Sequence, residues 1–160
     1  LAFQPEITTF PYYSWYHSIV VPLHHPLTQL KHVQLADIAK YPLITYIDGH
    51  TGRSAINQAF DKAELQPDIV VTAVDSDVIK TYVELGMGVG IIADMAFQSN
   101  KEQHLTLLNC EPLFEQKTTL LAVRQGYFLR GFGYQFLEMC NPSLSQQHMH
   151  QEIQLTAAIS

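Results

Sequence analysis

Cysteine, basic charge and long apolar runs are all scarce in this chain, and each scarcity removes a class of function. Only Cys110 and Cys140 occur in 160 residues, far apart and without paired spacing, which leaves neither a disulfide framework nor a zinc site. Both fall in apolar surroundings and read as buried free thiols of a reducing compartment. Nine Lys and Arg stand against fifteen Asp and Glu, a net charge of −6. The nine are scattered, so the clustered cations with which a protein face holds nucleic acid are missing. No run approaches the length of a membrane span, and no basic segment followed by an apolar core opens the chain. It does not begin with Met, which points to a piece of something longer. Catalytic signatures are absent too. There is no GxSxG elbow, and the eight histidines make no HExxH or HxxxH pair on a predicted helix, so they read as surface residues. Asp75 and Asp77 stand at a helix start, where capping and the helix dipole account for them. These absences argue against an enzyme, a metal site and a bound cofactor.

What remains has the composition of a globular protein, 47% hydrophobic and 15% charged, with length for one domain or two small lobes. Residues 1 to 16 are rich in proline and aromatics and read as an extended or looping segment that needs a surface. Short apolar strands at Ser18–Val21, Leu43–Tyr46, Ile69–Val74 and Val89–Ala93 alternate with helical patterns after His50, after Asp75 and from Leu129 to Met139. The continuous run Ile69–Val74 predicts a strand covered on both faces. Further strands are predicted at Leu105–Leu108 and Thr118–Val123, and a frayed or helical tail after Pro142. The alternation predicts α/β, a three-layer α/β/α arrangement around a mostly parallel mixed sheet. Gly86, Gly88 and Gly90 fail as a dinucleotide fingerprint, because Ile91 stands where a third glycine is required and the run leaves a helix for a strand. They fit a helix C-terminal turn with close strand packing.

The stretch with the best chemical claim is Leu43 to Ser54, which reads strand, turn, helix. A helix start offers unpaired N–H groups and a positive dipole end. Gly49 and Gly52 allow close backbone approach, and Thr51 and Ser54 add hydroxyls. The simpler account is that Thr51 or Ser54 caps the helix. Arg53 adds charge if it turns inward, though that helix position more often faces solvent. Asp75-Ser76-Asp77 is a second helix start, which would lie at the same carboxyl edge of the sheet, where open α/β sheets bind ligands. Trp15, the sole tryptophan, is core or interface filler by default.

Several blocks, taken together, resemble the effector-binding region of LysR-type transcriptional regulators, within them the CysB/Cbl group of sulfur assimilation and cysteine synthesis. They are Trp15–Val21, His25-Pro26-Leu27, Tyr41–Tyr46, Thr51-Gly52-Arg53-Ser54, Asp77–Val83, Leu85–Ala93 and Phe128-Leu129-Arg130. The similarity runs in register from about Trp15 to Pro142. It implies a lobe folded like type II periplasmic binding proteins: a crossover segment at 1–16 from an incomplete first lobe, a second lobe at 17–114, a return strand and helix at 115–142, and a tail at 143–160. It implies a ligand set of Thr51, Gly52, Ser54, Trp15 and Ser76 in an interlobe cleft. The effector would be sulfate, O- or N-acetylserine, or a sulfonucleotide, with further ligands from the first lobe. It also implies a cytoplasmic homo-oligomer that reaches promoter DNA only through an N-terminal helix-turn-helix, without a membrane. Asp48 departs from the group, which usually has a neutral residue there. A periplasmic anion-binding protein of a transporter shares the fold and is the rival reading.

Overall fold

The computed structural model describes residues 7–108, 113–124 and 129–155. They fall into two compact units, Trp15–Lys117 and Leu1–Ser14 with Thr118–Ser160.

The Trp15–Lys117 unit is built on a five-stranded sheet. In chain order its strands are β2 (His17–Pro22), β3 (Leu43–Tyr46), β4 (Ile69–Ala73), β5 (Val89–Ala93) and β6 (Leu105–Leu107), and across the sheet they run β4-β3-β5-β2-β6. β3 is parallel to both β4 and β5, and β2 is antiparallel to both β5 and β6, so four strands share one direction and β2 alone opposes them. β3 and β5 are buried at every position, as near-continuous apolar strands must be when both faces are covered. Ile69–Val74 breaks that expectation. It forms edge strand β4, whose exposure alternates along its length, and Val70 is 47% exposed. An apolar run alone does not tell an edge from a centre.

Helices α1 (Leu35–Ile38), α2 (Thr51–Lys62) and α3 (Ser76–Glu84) connect the strands. Asp75 caps α3, its carboxylate accepting from Val78 N at 2.9 Å, and Ile79 and Val83 are buried. The helix ends as the glycines predict. Gly86, at φ +76°, donates to Val83 O at 2.9 Å while Met87 N donates to Tyr82 O at 3.1 Å, the two bonds of a left-handed helix stop. α2 ends the same way at Glu64, φ +54°, with Leu65 N donating to Phe60 O at 3.0 Å. A Cβ on Gly90 would lie 2.5 Å from Val20 Cγ1 and 2.7 Å from Val83 Cγ2, so a bare backbone there lets α3 lie against the sheet.

The second unit holds a two-stranded sheet of β1 (Ile7–Trp15) and β7 (Lys117–Arg124), then α4 (Gly131–Cys140) and α5 (Gln146–Leu155). Over Ile7–Trp15 the proline-rich opening is thus a strand, and over Gln146–Leu155 the tail is a helix. Phe10, Val123, Leu137, Leu144, Met149 and Ile153 form its core. Asn141 ties the end of α4 to β1 by donating to Pro11 O at 2.7 Å. Cys140 is a free thiol only partly buried, less enclosed than its neighbours suggest; Cys110 lies outside the described residues. The outer face of α4 carries Phe132, 70% exposed, and Met139, 82% exposed, with Phe136 between them. No helix among the described residues is long and apolar enough to cross a membrane.

A Cβ on Gly88 would stand 2.4 Å from the Pro42 carbonyl oxygen, which already accepts from Val89 N at 2.8 Å where β5 joins β3. Backbone cannot step aside as a side chain can, so Gly88→Ala is expected to destabilise by about 1–3 kcal/mol in urea unfolding. An unchanged midpoint would show that the sheet accommodates the methyl.

Candidate functional site

The corner between β3 and α2 is made by three neighbours with different tasks. Gly49 takes φ +85°, a backbone shape that side chains disfavour. His50 is extended and caps α2, its Nδ1 accepting from Gly52 N at 3.2 Å. Its ring stacks on Tyr46 at a centroid distance of 4.5 Å and 10° between planes. Arg53 then closes the corner from below. It donates through NH1 to Tyr46 O and through Nε to Asn57 Oδ1, both at 2.7 Å, and its NH2 lies 3.4 Å from Asp48 Oδ1.

Two expectations change at this corner. The cap is His50 rather than Thr51 or Ser54. Arg53 turns inward, 8% exposed, yet its donors are engaged in holding the turn. Asp48, the acid that departs from the group's pattern, is the outer partner of that guanidinium. Its charge is therefore paired close by rather than aimed at a ligand.

Behind the first turn of α2 lies His17, 2% exposed. Trp15, Phe114 and Tyr46 surround it edge-on at ring distances of 5.0, 5.8 and 6.2 Å. Gly52 fits directly over it: a Cβ there would stand 2.7 Å from His17 Nε2 and 3.3 Å from Tyr46 Cδ2. Neither ring nitrogen of His17 has a hydrogen-bond partner among the described residues. Burial pushes its pKa down to about 4, Lys117 and His50 press in the same direction, and Asp94 opposes them. The ring is neutral at physiological pH, and the reading of all histidines as surface residues fails for this one.

Tyr46 extends the cluster towards the second helix start. Its hydroxyl shares a hydrogen bond of 2.8 Å with Ser76 Oγ and accepts from Ala93 N at 3.0 Å. Trp15, Gly52 and Ser76 therefore meet one continuous cluster through His17 and Tyr46. Ser54 sits exposed in the first turn of α2, and Thr51 is its first residue; the Thr51 side chain lies outside the described atoms. His17, Tyr46 and His50 escape a reading of sequence, which weighs Arg53 but favours solvent for it. A signal for His17 was its place in the apolar stretch ending at Val21.

The site holds backbone donors, hydroxyls and aromatic walls, a set suited to holding a small polar ligand. Among the described residues no three His, Cys, Asp or Glu gather as a metal site would need. Sheet, corner and cluster together define a ligand-binding α/β lobe. The chain belongs to the LysR substrate binding domain family, which matches residues 3–145. It is 50% identical over 142 residues to the HTH-type transcriptional regulator SsuR of Burkholderia cenocepacia, covering 89% of this chain and 46% of that protein. It is 43% identical over 153 residues to the HTH-type transcriptional regulator cbl of Escherichia coli, covering 96% of this chain and 48% of that protein. The cofactor-binding domain of the Cbl transcriptional regulator has the same fold at a TM-score of 0.86 and 43% identity, covering 94% of this chain and 66% of that one. The chain spans about half the length of these two regulators. It is an effector-binding domain of the LysR type, not an enzyme, and its relatives are regulators rather than transport proteins.

Buried neutral His17 makes stability depend on pH. On unfolding its pKa returns from about 4 to 6.5. Between those values the unfolded chain binds more protons, so the folded state loses stability as pH falls through that window. At pH 5 the loss relative to pH 7 is about 2 kcal/mol. Urea midpoints at the two pH values measure it, and His17→Leu should flatten the difference. An equal slope in the variant would place the dependence elsewhere.

Proposed function

We propose that this domain reports the supply of a sulfur-linked small anion to a regulator of sulfur or cysteine metabolism. The effector class is sulfate, O- or N-acetylserine, or a sulfonucleotide, seated on the start of α2. The observation that carries the reading is the bare backbone of Gly52 in the first turn of a twelve-residue helix, against His17 on which Trp15 packs, and within one cluster with Ser76. A helix start offers N–H donors and a positive dipole end without a mobile cation, which suits an anion that must bind and leave. Thr51 is the first ligand, Ser54 adds a hydroxyl donor, Gly52 supplies bare backbone while its own N–H is held by His50, Trp15 is the aromatic wall, and Ser76 stands at the neighbouring helix start. Similarity to SsuR and Cbl supports the metabolic assignment.

In the whole regulator, occupancy of this seat shifts the arrangement of lobes or subunits in a homo-oligomer. A helix-turn-helix outside this chain then changes its hold on promoter DNA. A ligand can drive such a shift only by its difference in affinity between the two arrangements. The regulator works in the cytoplasm, where the effectors are made and consumed.

Thr51→Ala in the full-length protein is expected to weaken sulfate or acetylserine binding, measured by calorimetry, by about 0.5–1.5 kcal/mol, the contribution of one hydrogen bond. Unaltered affinity would remove Thr51 from the site.

A further inference from the structure

Two groups at the α2 start have no account in the seat described above. One is the His17 imidazole, 2% exposed and with neither nitrogen hydrogen-bonded among the described residues. The other is the contact that brings its Nε2 against Gly52, where a Cβ would stand at 2.7 Å. Buried polar groups without partners are costly and rare. Here the orphan lies against the helix end to which an anion is drawn. We propose that an oxyanion seated on the first turn of α2 is bound together with a proton, which the His17 imidazole takes from solvent. The inference rests on the reading of the α2 start as the effector seat.

The charges around His17 explain why the proton stays off in the empty site and goes on in the filled one. Burial foremost keeps a second proton off the ring, the Lys117 charge and then His50 press the same way, and Asp94, beyond the end of β5, is the acid that favours it. Trp15, Tyr46 and Phe114 close the other sides with apolar rings that cannot solvate a cation. The start of α2 adds its positive dipole end. With one acid against this surplus, the imidazole is neutral when the seat is empty. An oxyanion on Gly52 reverses the local sign, because it places negative charge beside the buried ring, where screening is weak. The imidazolium then stabilises the anion that called it into being. His50 is the other imidazole at the seat, but its Nδ1 is already the acceptor for Gly52 N. Proton uptake thus falls to the ring that has no partner. A consequence is that a dianion and a neutral ligand of the same size differ in how strongly pH affects their binding.

Sulfate is the probe, since it stays a dianion across the range tested. Calorimetry of the full-length protein at pH 6 in buffers of contrasting ionisation enthalpy should show uptake of about 0.3 to 1 proton per sulfate. Affinity should fall at least twofold from pH 5.5 to 7.5. In His17→Gln, uptake should drop to near zero and the profile should flatten. Sulfate binding that responds to Thr51→Ala yet takes up no proton overturns this inference and leaves the seat standing. Uptake that survives in His17→Gln overturns it too. No sulfate binding at any pH overturns the inference, and the seat falls with it if acetylserine fails to bind as well. Should His17→Gln fail to fold, ring ¹⁵N shifts of His17 in the native protein decide the matter. Added sulfate must move the His17 midpoint upward, and an unmoved midpoint overturns the proposal.

Discussion

One buried guanidinium holds the ligand-facing corner together. Arg53 sits in the first turn of α2 and donates to the carbonyl of Tyr46, the last residue of β3, so strand end and helix start are tied by a single side chain. Its remaining donors go to Asn57 on the next turn of the same helix and to Asp48 in the loop. A charge this enclosed is tolerated because its hydrogen bonds are made, and an unpaired partner in such a place is costly. Everything at the seat inherits its position from this tie: Gly52 over His17, His50 over Tyr46, and Tyr46 reaching Ser76.

On the proposed reading, the corner would seat an anion without displaying a cation to solvent. Among the described residues the one buried arginine is committed to structure, and Lys117 acts on the buried His17 ring. The proposed seat is made of backbone polarity, hydroxyls and aromatic edges, which define shape and hydrogen-bond geometry more sharply than a mobile charge, so selectivity among small anions would follow from fit.

Most of the architecture was legible from periodicity and punctuation. Buried runs such as Val89–Ala93 and the capped start at Asp75 depend on local sequence, and the left-handed stop at Gly86 can be read from the glycine itself. The failures are one local cap and two that involve neighbours distant in sequence. Ile69–Val74 looks central until one knows that no described strand pairs beyond β4. His50 is not among the usual capping residues, so Thr51 and Ser54 drew the assignment. His17 is two residues after the tryptophan, and only the fold brings Gly52, thirty-five positions later, down onto its ring. Resemblance to the regulators pointed to the Thr51–Ser54 turn but could not reveal what lies underneath it.

The two ends of α2 have opposite liberties. At twelve residues the helix is about 18 Å long, with the ligand corner at its start and Glu64 in a left-handed shape just past its end. A side chain in that shape costs conformational energy that glycine would not. The helix therefore stores relievable strain at the end remote from the effector, while its first turn admits almost no replacement at Gly52. Drift in stability and drift in ligand response can proceed on one helix without interfering, which gives such a sensor room to change its effector and keep its fold.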